Sequence, residues 1–242
     1  MINAHLAKGL ILSLLLSNAV AQAVETPATP KTFTEAKKVA AQVYKGQEKT
    51  FYCGCDYNNE KRIDHDSCGY TVRSNKKRAE RLEWEHVVPA HAFGHTRECW
   101  REPICETKKG EKYKGRRCCG KIDPVFRAME SDLHNLVPAV GEINADRSNY
   151  TFTVIPGELR EYGMCDMEIE NRKAEPPAEV RGDIARTYFY MHHTYGLPIS
   201  NKQLKLFTVW DSQDPVDDWE IERNARITEI QGVRNPYVPL ER

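Results

Sequence analysis

The stretch "RLEWEHVVPA", residues 81–90, alternates apolar and polar side chains and then meets a proline. Such alternation marks a half-buried β-strand, with Leu82, Trp84 and His86 on one face and Glu83 and Glu85 on the other. The strand carries a carboxylate and an imidazole as neighbours, Glu85 and His86, at its end. A carboxylate is a ligand for a hard divalent cation, and a neutral imidazole is a general base. Neighbours on a regular strand point to opposite faces, so these two serve one site only if the strand ends or bends there. Pro89 and the change to "VVPA" permit that. His86 and His91 are five residues apart, which excludes the H-E-x-x-H zinc helix, and no G-x-S-x-G elbow, Walker loop or dinucleotide fingerprint is present.

Helix signals flank this strand. "TFTEAKKVAAQVYK" (32–45) has Thr32 and Glu35 in capping-box positions and an apolar face of Ala36, Val39, Ala40, Val43 and Tyr44. Asp123-Pro124 opens a second helix, with Asp as cap and Pro in the first turn. Pro138 argues against its continuation, so a break is expected around 135–137, followed by a helix over "PAVGEINADR" (138–147). "YTFTVIPG" (150–157) reads as a strand, and "PPAEVRGDIARTYFYMHHTYG" (176–196) as a long helix stopped by Gly196 and Pro198. "NKQLKLFTVW" (201–210) and "PVDDWEIERNARITEIQG" (215–232) read as two more helices, and "GEKYKGRRCCGK" (110–121) as a basic loop. The fold class is therefore α+β, mainly helical with a small irregular antiparallel sheet.

The chain opens "MINAHLAKGLILSLLLSNAVAQA", a lysine, a short apolar run and an A-x-A site, the layout of a secretory signal peptide over residues 1–23. Residues 24–242 are then expected to form one domain, exported and without a membrane span. Eight cysteines, Cys53, Cys55, Cys68, Cys99, Cys105, Cys118, Cys119 and Cys165, fit four disulfides in an oxidising compartment. Their C-x-C and C-C spacings do not match a structural zinc site, and spacing alone leaves the connectivity open. Formal net charge is zero, but residues 60–121 hold 16 Lys/Arg against 10 Asp/Glu, a local basic excess suited to a polyanion.

"EWEHVVPAHAFG" (83–94), "DLHNLVPAVGEINADRSN" (132–149), "FYCGC" (51–55), "SCGY" (67–70) and "AEPPAEVRGDIARTYFYM" (174–191) together resemble the bacterial endonuclease I family. The likeness covers roughly residues 31–235. It implies an exported, non-specific nuclease with a ββα-metal (His-Me finger) motif, periplasmic or secreted, acting as a monomer on double- and single-stranded DNA and on RNA. It implies Mg²⁺ as cofactor, with Mn²⁺ or Ca²⁺ as substitutes. By position, Glu85 matches the family's carboxylate ligand, His86 its general base and Asn135 its second metal ligand. The phosphate-holding arginine falls on Arg101, with Arg97 as the alternative. The chain departs from the family in having no cysteine after Cys165. The residues alone leave two rivals open, a non-catalytic DNA-binding protein and a metallohydrolase of another ester.

Overall fold

The computed structural model describes residues 26–157 and 160–241, so the expected leader over 1–23 lies outside the described residues. Helix α1, Phe33–Val43, begins at Thr32, whose hydroxyl accepts the Glu35 N–H at 3.1 Å. The Glu35 carboxylate turns back to the Lys31 N–H at 3.1 Å. The short α2, Lys76–Ala79, leads into strand β1, Leu82–His86, which covers the alternating stretch. Helices α3, Ala90–Gly94, and α4, Glu98–Arg101, follow.

The basic segment expected to be a loop is structured instead. Strands β2, Cys105–Glu106, and β3, Lys112–Tyr113, pair, and Arg116–Ile122 forms helix α5. The cause is covalent. Successive helical residues point in different directions, so Cys119 bonds to Cys99 while Cys118 bonds to Cys105. Polar composition hid a segment fastened at two points. Bridges Cys53–Cys165 and Cys55–Cys68 complete four pairs and leave no free cysteine. A thiol titration of the denatured, unreduced protein is expected to find no free thiol, and two or more per chain would contradict this pairing.

Helix α6, Pro124–Ser131, starts at Asp123, whose carboxylate accepts the Phe126 N–H at 2.9 Å. A 3-10 turn over Leu133–Asn135 leads into strand β4, Leu136–Val140, and then helix α7, Gly141–Arg147. The helix expected over 138–147 thus begins three residues later, and its first part is strand. All five β4 residues are buried, and β4 pairs antiparallel with β1, Glu85 opposite Val137 and His86 opposite Leu136. Burial on both faces favours a continuous apolar strand over an amphipathic helix. Pro138, opposite Trp84, is tolerated because among the described residues β4 has no second strand partner.

Strand β5 is confined to Thr151–Phe152, shorter than the 150–157 expected. It pairs in parallel with β7, Lys173–Glu175, which also pairs antiparallel with β6, Glu168–Glu170, so the small sheets are not wholly antiparallel. Helix α8, Arg181–Tyr195, starts after a 3-10 turn at 178–180 and stops at Gly196, whose φ of 66° suits glycine. Helices α9, Asn201–Gln213, and α10, Asp218–Gln231, close the chain, the latter with a complete Asp217/Glu220 capping box. Among the described residues no helix is long and apolar enough to cross a membrane.

Strands β1 and β4 with helix α7 form a ββα unit at the centre. Leu82 and Trp84 on one face of β1 pack with Ala36, Ala40 and Val43 of α1 and Ile227 of α10. Val137, Ala139, Val140 and Ile143 join a second apolar cluster with Ile184 of α8 and Phe207 and Trp210 of α9. The disulfide-bonded helices pack with Phe93, Phe126 and Met129 in a third.

Candidate active site

Among the described residues β1 has only β4 as a strand partner, and between Leu82, whose N–H donates to the Lys61 carbonyl at 2.8 Å, and His86, whose carbonyl accepts from Arg147, no strand covers its other edge. A cavity of about 570 Å³ runs along that edge, lined by every residue from Leu82 to His86. This resolves the geometric difficulty of adjacent side chains. Glu85 leans toward α7 and His86 toward α1, and a groove along the strand edge receives both. Phe33 and Lys37 of α1 line one wall, Asn144 and Arg147 of α7 the other. Six of the sixteen lining residues are Lys or Arg and two are carboxylates, so the cavity is basic although the chain is neutral.

Glu85 is 2% exposed. Its Oε1 accepts from the Tyr52 hydroxyl at 3.1 Å and from Arg147 Nη1 at 3.0 Å. Its Oε2 is buried with no hydrogen-bond partner among the described residues. A buried carboxylate oxygen left unpaired is costly, and a ligand on the cavity side would satisfy it. Burial pushes the Glu85 carboxyl up, and Arg147 with the Tyr52 hydroxyl opposes that push. Arg147 is itself buried. It also donates to the carbonyls of His86 at 2.8 Å and Val87 at 2.7 Å, and its guanidinium lies 4.3 Å from the Phe152 ring centroid. One side chain of α7 thus holds both the carboxylate and the backbone that follows it.

His86 Nε2 is 2.8 Å from the Glu130 carbonyl. A carbonyl only accepts, so Nε2 carries the proton and Nδ1 is the bare nitrogen. Burial, and then the nearby Arg116 charge, hold the imidazole pKa down to about 3, opposed by the Glu130 carbonyl. The ring is therefore neutral at neutral pH, the form a base requires. It sits between Phe33 at 4.9 Å and Phe93 at 6.1 Å. Arg116, at the start of α5, lies over the outer part of this wall, 4.9 Å from the Phe33 centroid. Its Nε donates to Glu130 Oε1 at 2.6 Å, which leaves its two Nη nitrogens for an anion. Glu130 therefore fixes His86 through its backbone and Arg116 through its side chain.

The structure brings Glu85 and His86 together, but not the other residues expected from sequence. Asn135 is fully buried and does not line the cavity. Its Oδ1 accepts the Val88 N–H at 2.7 Å and its Nδ2 donates to the Val88 carbonyl at 3.0 Å. The side chain mimics a peptide, extending the β1–β4 pairing to Val88 just before the chain turns at Pro89. Arg101 is exposed, away from the cavity, its carbonyl accepting from Lys114 at 2.7 Å. Arg97 is tied to Asp123 at 2.6 Å and to the Phe93 carbonyl at 2.8 Å. Asp132 accepts from Tyr190 and Tyr195 and caps the 3-10 turn, and His134 bonds the Val233 carbonyl. These residues shape the interior.

The cavity instead holds Asn144, Arg147 and Arg116. Asn144 Nδ2 donates to Glu83 Oε2 at 2.9 Å, which leaves its Oδ1 as the uncommitted atom of the amide. Asn144 and Arg147 are three apart in "GEINADR", the spacing that puts two residues on one helical face, so their shared direction was visible once a helix there was granted. Arg116 carried no such signal inside a run of like charges. Among the described residues no cluster of three or more His, Cys, Asp or Glu side chains converges on one point. A cation here would thus have one carboxylate and one amide as protein ligands. That sparse oxygen set suits an ion that keeps several waters, such as Mg²⁺.

The model of the family described as Endonuclease I matches residues 28–240. An extracellular deoxyribonuclease of Aeromonas hydrophila is 45% identical over 230 residues, covering 93% of this chain and 96% of its own. A periplasmic deoxyribonuclease of the same species is 44% identical over 233 residues, 93% of each chain. An extracellular ribonuclease of Bacillus subtilis is 33% identical over 128 residues, 45% of this chain and 43% of its own.

Proposed function

The chain belongs to the endonuclease I family and is a nuclease, and from that premise we propose that it is an exported, divalent-metal-dependent endonuclease that hydrolyses DNA and RNA with little sequence preference. The observation that carries the reading is the meeting, on one basic cavity, of an unpartnered Glu85 Oε2, a bare His86 Nδ1 and Arg116. The site is built within one chain, so a monomer suffices.

Glu85 Oε2 and Asn144 Oδ1 would hold the cation. A divalent ion held there would supply positive charge against the phosphate and the departing oxygen. His86 Nδ1 takes a proton from the attacking water while Nε2–H stays on the Glu130 carbonyl, which keeps the ring in the basic tautomer. Arg116 meets a non-bridging phosphate oxygen through the nitrogens that Glu130 leaves free. Lys61, Arg78 and Arg81 continue the basic lining along the groove. Contacts of this kind position a backbone and carry no base information, which accounts for a lack of sequence preference.

Plasmid DNA incubated with the protein is expected to be nicked, to be spared in EDTA and to be nicked again when Mg²⁺ is restored. Nicking undiminished by EDTA would overturn the metal-dependent reading. Two asparagine substitutions then separate the ligand from the scaffold. Asn144→Ala should raise the Mg²⁺ concentration needed for half-maximal cleavage by at least about tenfold, with the urea midpoint little changed. Asn135→Ala should lower the urea midpoint, because the buried Val88 N–H and carbonyl lose their partner. The reverse pattern would return the ligand role to Asn135.

A further inference from the structure

Glu83 lies two residues before Glu85 on the same face of β1, and it is not placed to touch a substrate phosphate, being anionic. It nevertheless occupies a built position. Arg78 donates to both of its oxygens, through Nε to Oε1 at 3.1 Å and through Nη2 to Oε2. Arg81 donates to Oε1 through Nε at 2.9 Å and Nη2 at 2.6 Å. The Glu83 side chain is 17% exposed. Its stem runs against the first residue of α7. A Cβ added at Gly141 would stand 3.0 Å from both Glu83 Cγ and Cδ and 2.6 Å from the Arg78 carbonyl, so glycine is what lets the helix approach this closely. The two arginines fix the carboxylate, and the remaining bond on Oε2 goes to Asn144 Nδ2 at 2.9 Å.

An asparagine amide is nearly symmetric in shape, and a half-turn about its last bond exchanges oxygen for NH₂. One orientation offers a cation an oxygen ligand; the other offers it a donor. We propose that Glu83 is a positioning residue that locks the Asn144 amide with its oxygen toward the cavity, and so sets the affinity of the site for its divalent cation. The inference rests on the reading of Asn144 as a metal ligand. Its chemical basis is that Glu83, with guanidinium groups donating to both oxygens, is an acceptor only, so it accepts Nδ2 and excludes Oδ1 from that side. Arg78 and Arg81 have a second consequence. They are anchored on Glu83 while lining the same cavity, so the residue that orients the ligand also fixes two cations of the phosphate track.

The test separates reach from charge. Glu83→Gln keeps the length and an acceptor oxygen but loses the charge. Glu83→Asp keeps the charge and draws the acceptor back by one methylene. Both are conservative, and a thermal melt in EDTA checks that each is folded. Binding of Mn²⁺ is read directly by the loss of its free-ion paramagnetic resonance signal, without reference to cleavage. Positioning predicts that Glu83→Gln binds within about threefold of the wild type, while Glu83→Asp and Asn144→Ala bind about 10–100-fold more weakly, the usual cost of disturbing an outer partner of a ligand. Glu83→Gln weakened as much as or more than Glu83→Asp would overturn the inference in favour of simple charge attraction. Neither variant weakened, with Asn144→Ala weakened, would overturn it while leaving the ligand reading intact. Asn144→Ala binding Mn²⁺ like the wild type would overturn the ligand reading and this inference with it.

Discussion

His86→Ala is expected to cut plasmid nicking by roughly 10²–10⁴-fold while the protein still folds, binds Mn²⁺ and binds DNA. The magnitude is that of one positioned base. Everything else in the cavity survives the change: Glu85 keeps Tyr52 and Arg147, Asn144 keeps Glu83, and Arg116 keeps Glu130. The loss of a buried ring from between Phe33 and Phe93 should cost about 1–3 kcal/mol of stability, tolerable in a chain held by four disulfides. If the ring served only as filler at the end of the Leu82–Trp84 face, the outcome would invert, with a large drop in melting temperature and near-normal nicking by the folded fraction. The decisive comparison is a melt beside a nicking assay on one sample. A folded, DNA-binding His86→Ala protein that cuts at the wild-type rate ends the assignment. Added imidazole, small enough to enter the vacated space, should return part of the activity of the variant and leave the wild type unaffected.

Arg147→Met should be the most destabilising single substitution in the ββα unit, by about 3–5 kcal/mol in urea unfolding. The side chain is 1% exposed and its partner Glu85 2% exposed, so the pair has little water to fall back on. Removing the guanidinium leaves a buried carboxyl without its counter-charge, and it also strips the donors from the carbonyls of His86 and Val87. Each orphaned buried acceptor adds its own penalty. Methionine fills much of the volume, so the loss reads the charge and the hydrogen bonds more than a cavity. Lys76→Met is the matched control. Its pair with Glu80 spans 3.8 Å with Lys76 82% exposed, and its removal should change stability by no more than about 0.5 kcal/mol. An Arg147→Met protein within about 1 kcal/mol of the wild type would show that Arg147 does not hold the strand end in place.

The sequence by itself determined the elements whose causes are local. The Thr32 and Asp123 caps, the stop at Gly196 and the strand at Leu82–His86 each depend on residues within a few positions of one another, and each appears in the structure, although β1 buries Glu85 as well as its apolar face. It also determined that a carboxylate and an imidazole stand together at a strand end, and that all eight cysteines would find partners. Only the tertiary structure decided the rest. Leu136–Val140 is a strand because burial between layers, not its own periodicity, satisfies its backbone against β1. Cys53 pairs with Cys165 across 112 residues, a choice no spacing encodes. Asn135 and Asn144 are chemically identical side chains. One faces Val88 and closes the strand; the other faces Glu83 and opens onto the cavity. Arg97, Arg101 and Arg116 are likewise the same side chain, and the first is spent on Asp123, the second points away, and the third is brought beside His86 by the disulfides that hold α5. A residue type supplies a donor or an acceptor, but what that group meets depends on which distant segment the packing of apolar faces brings against it.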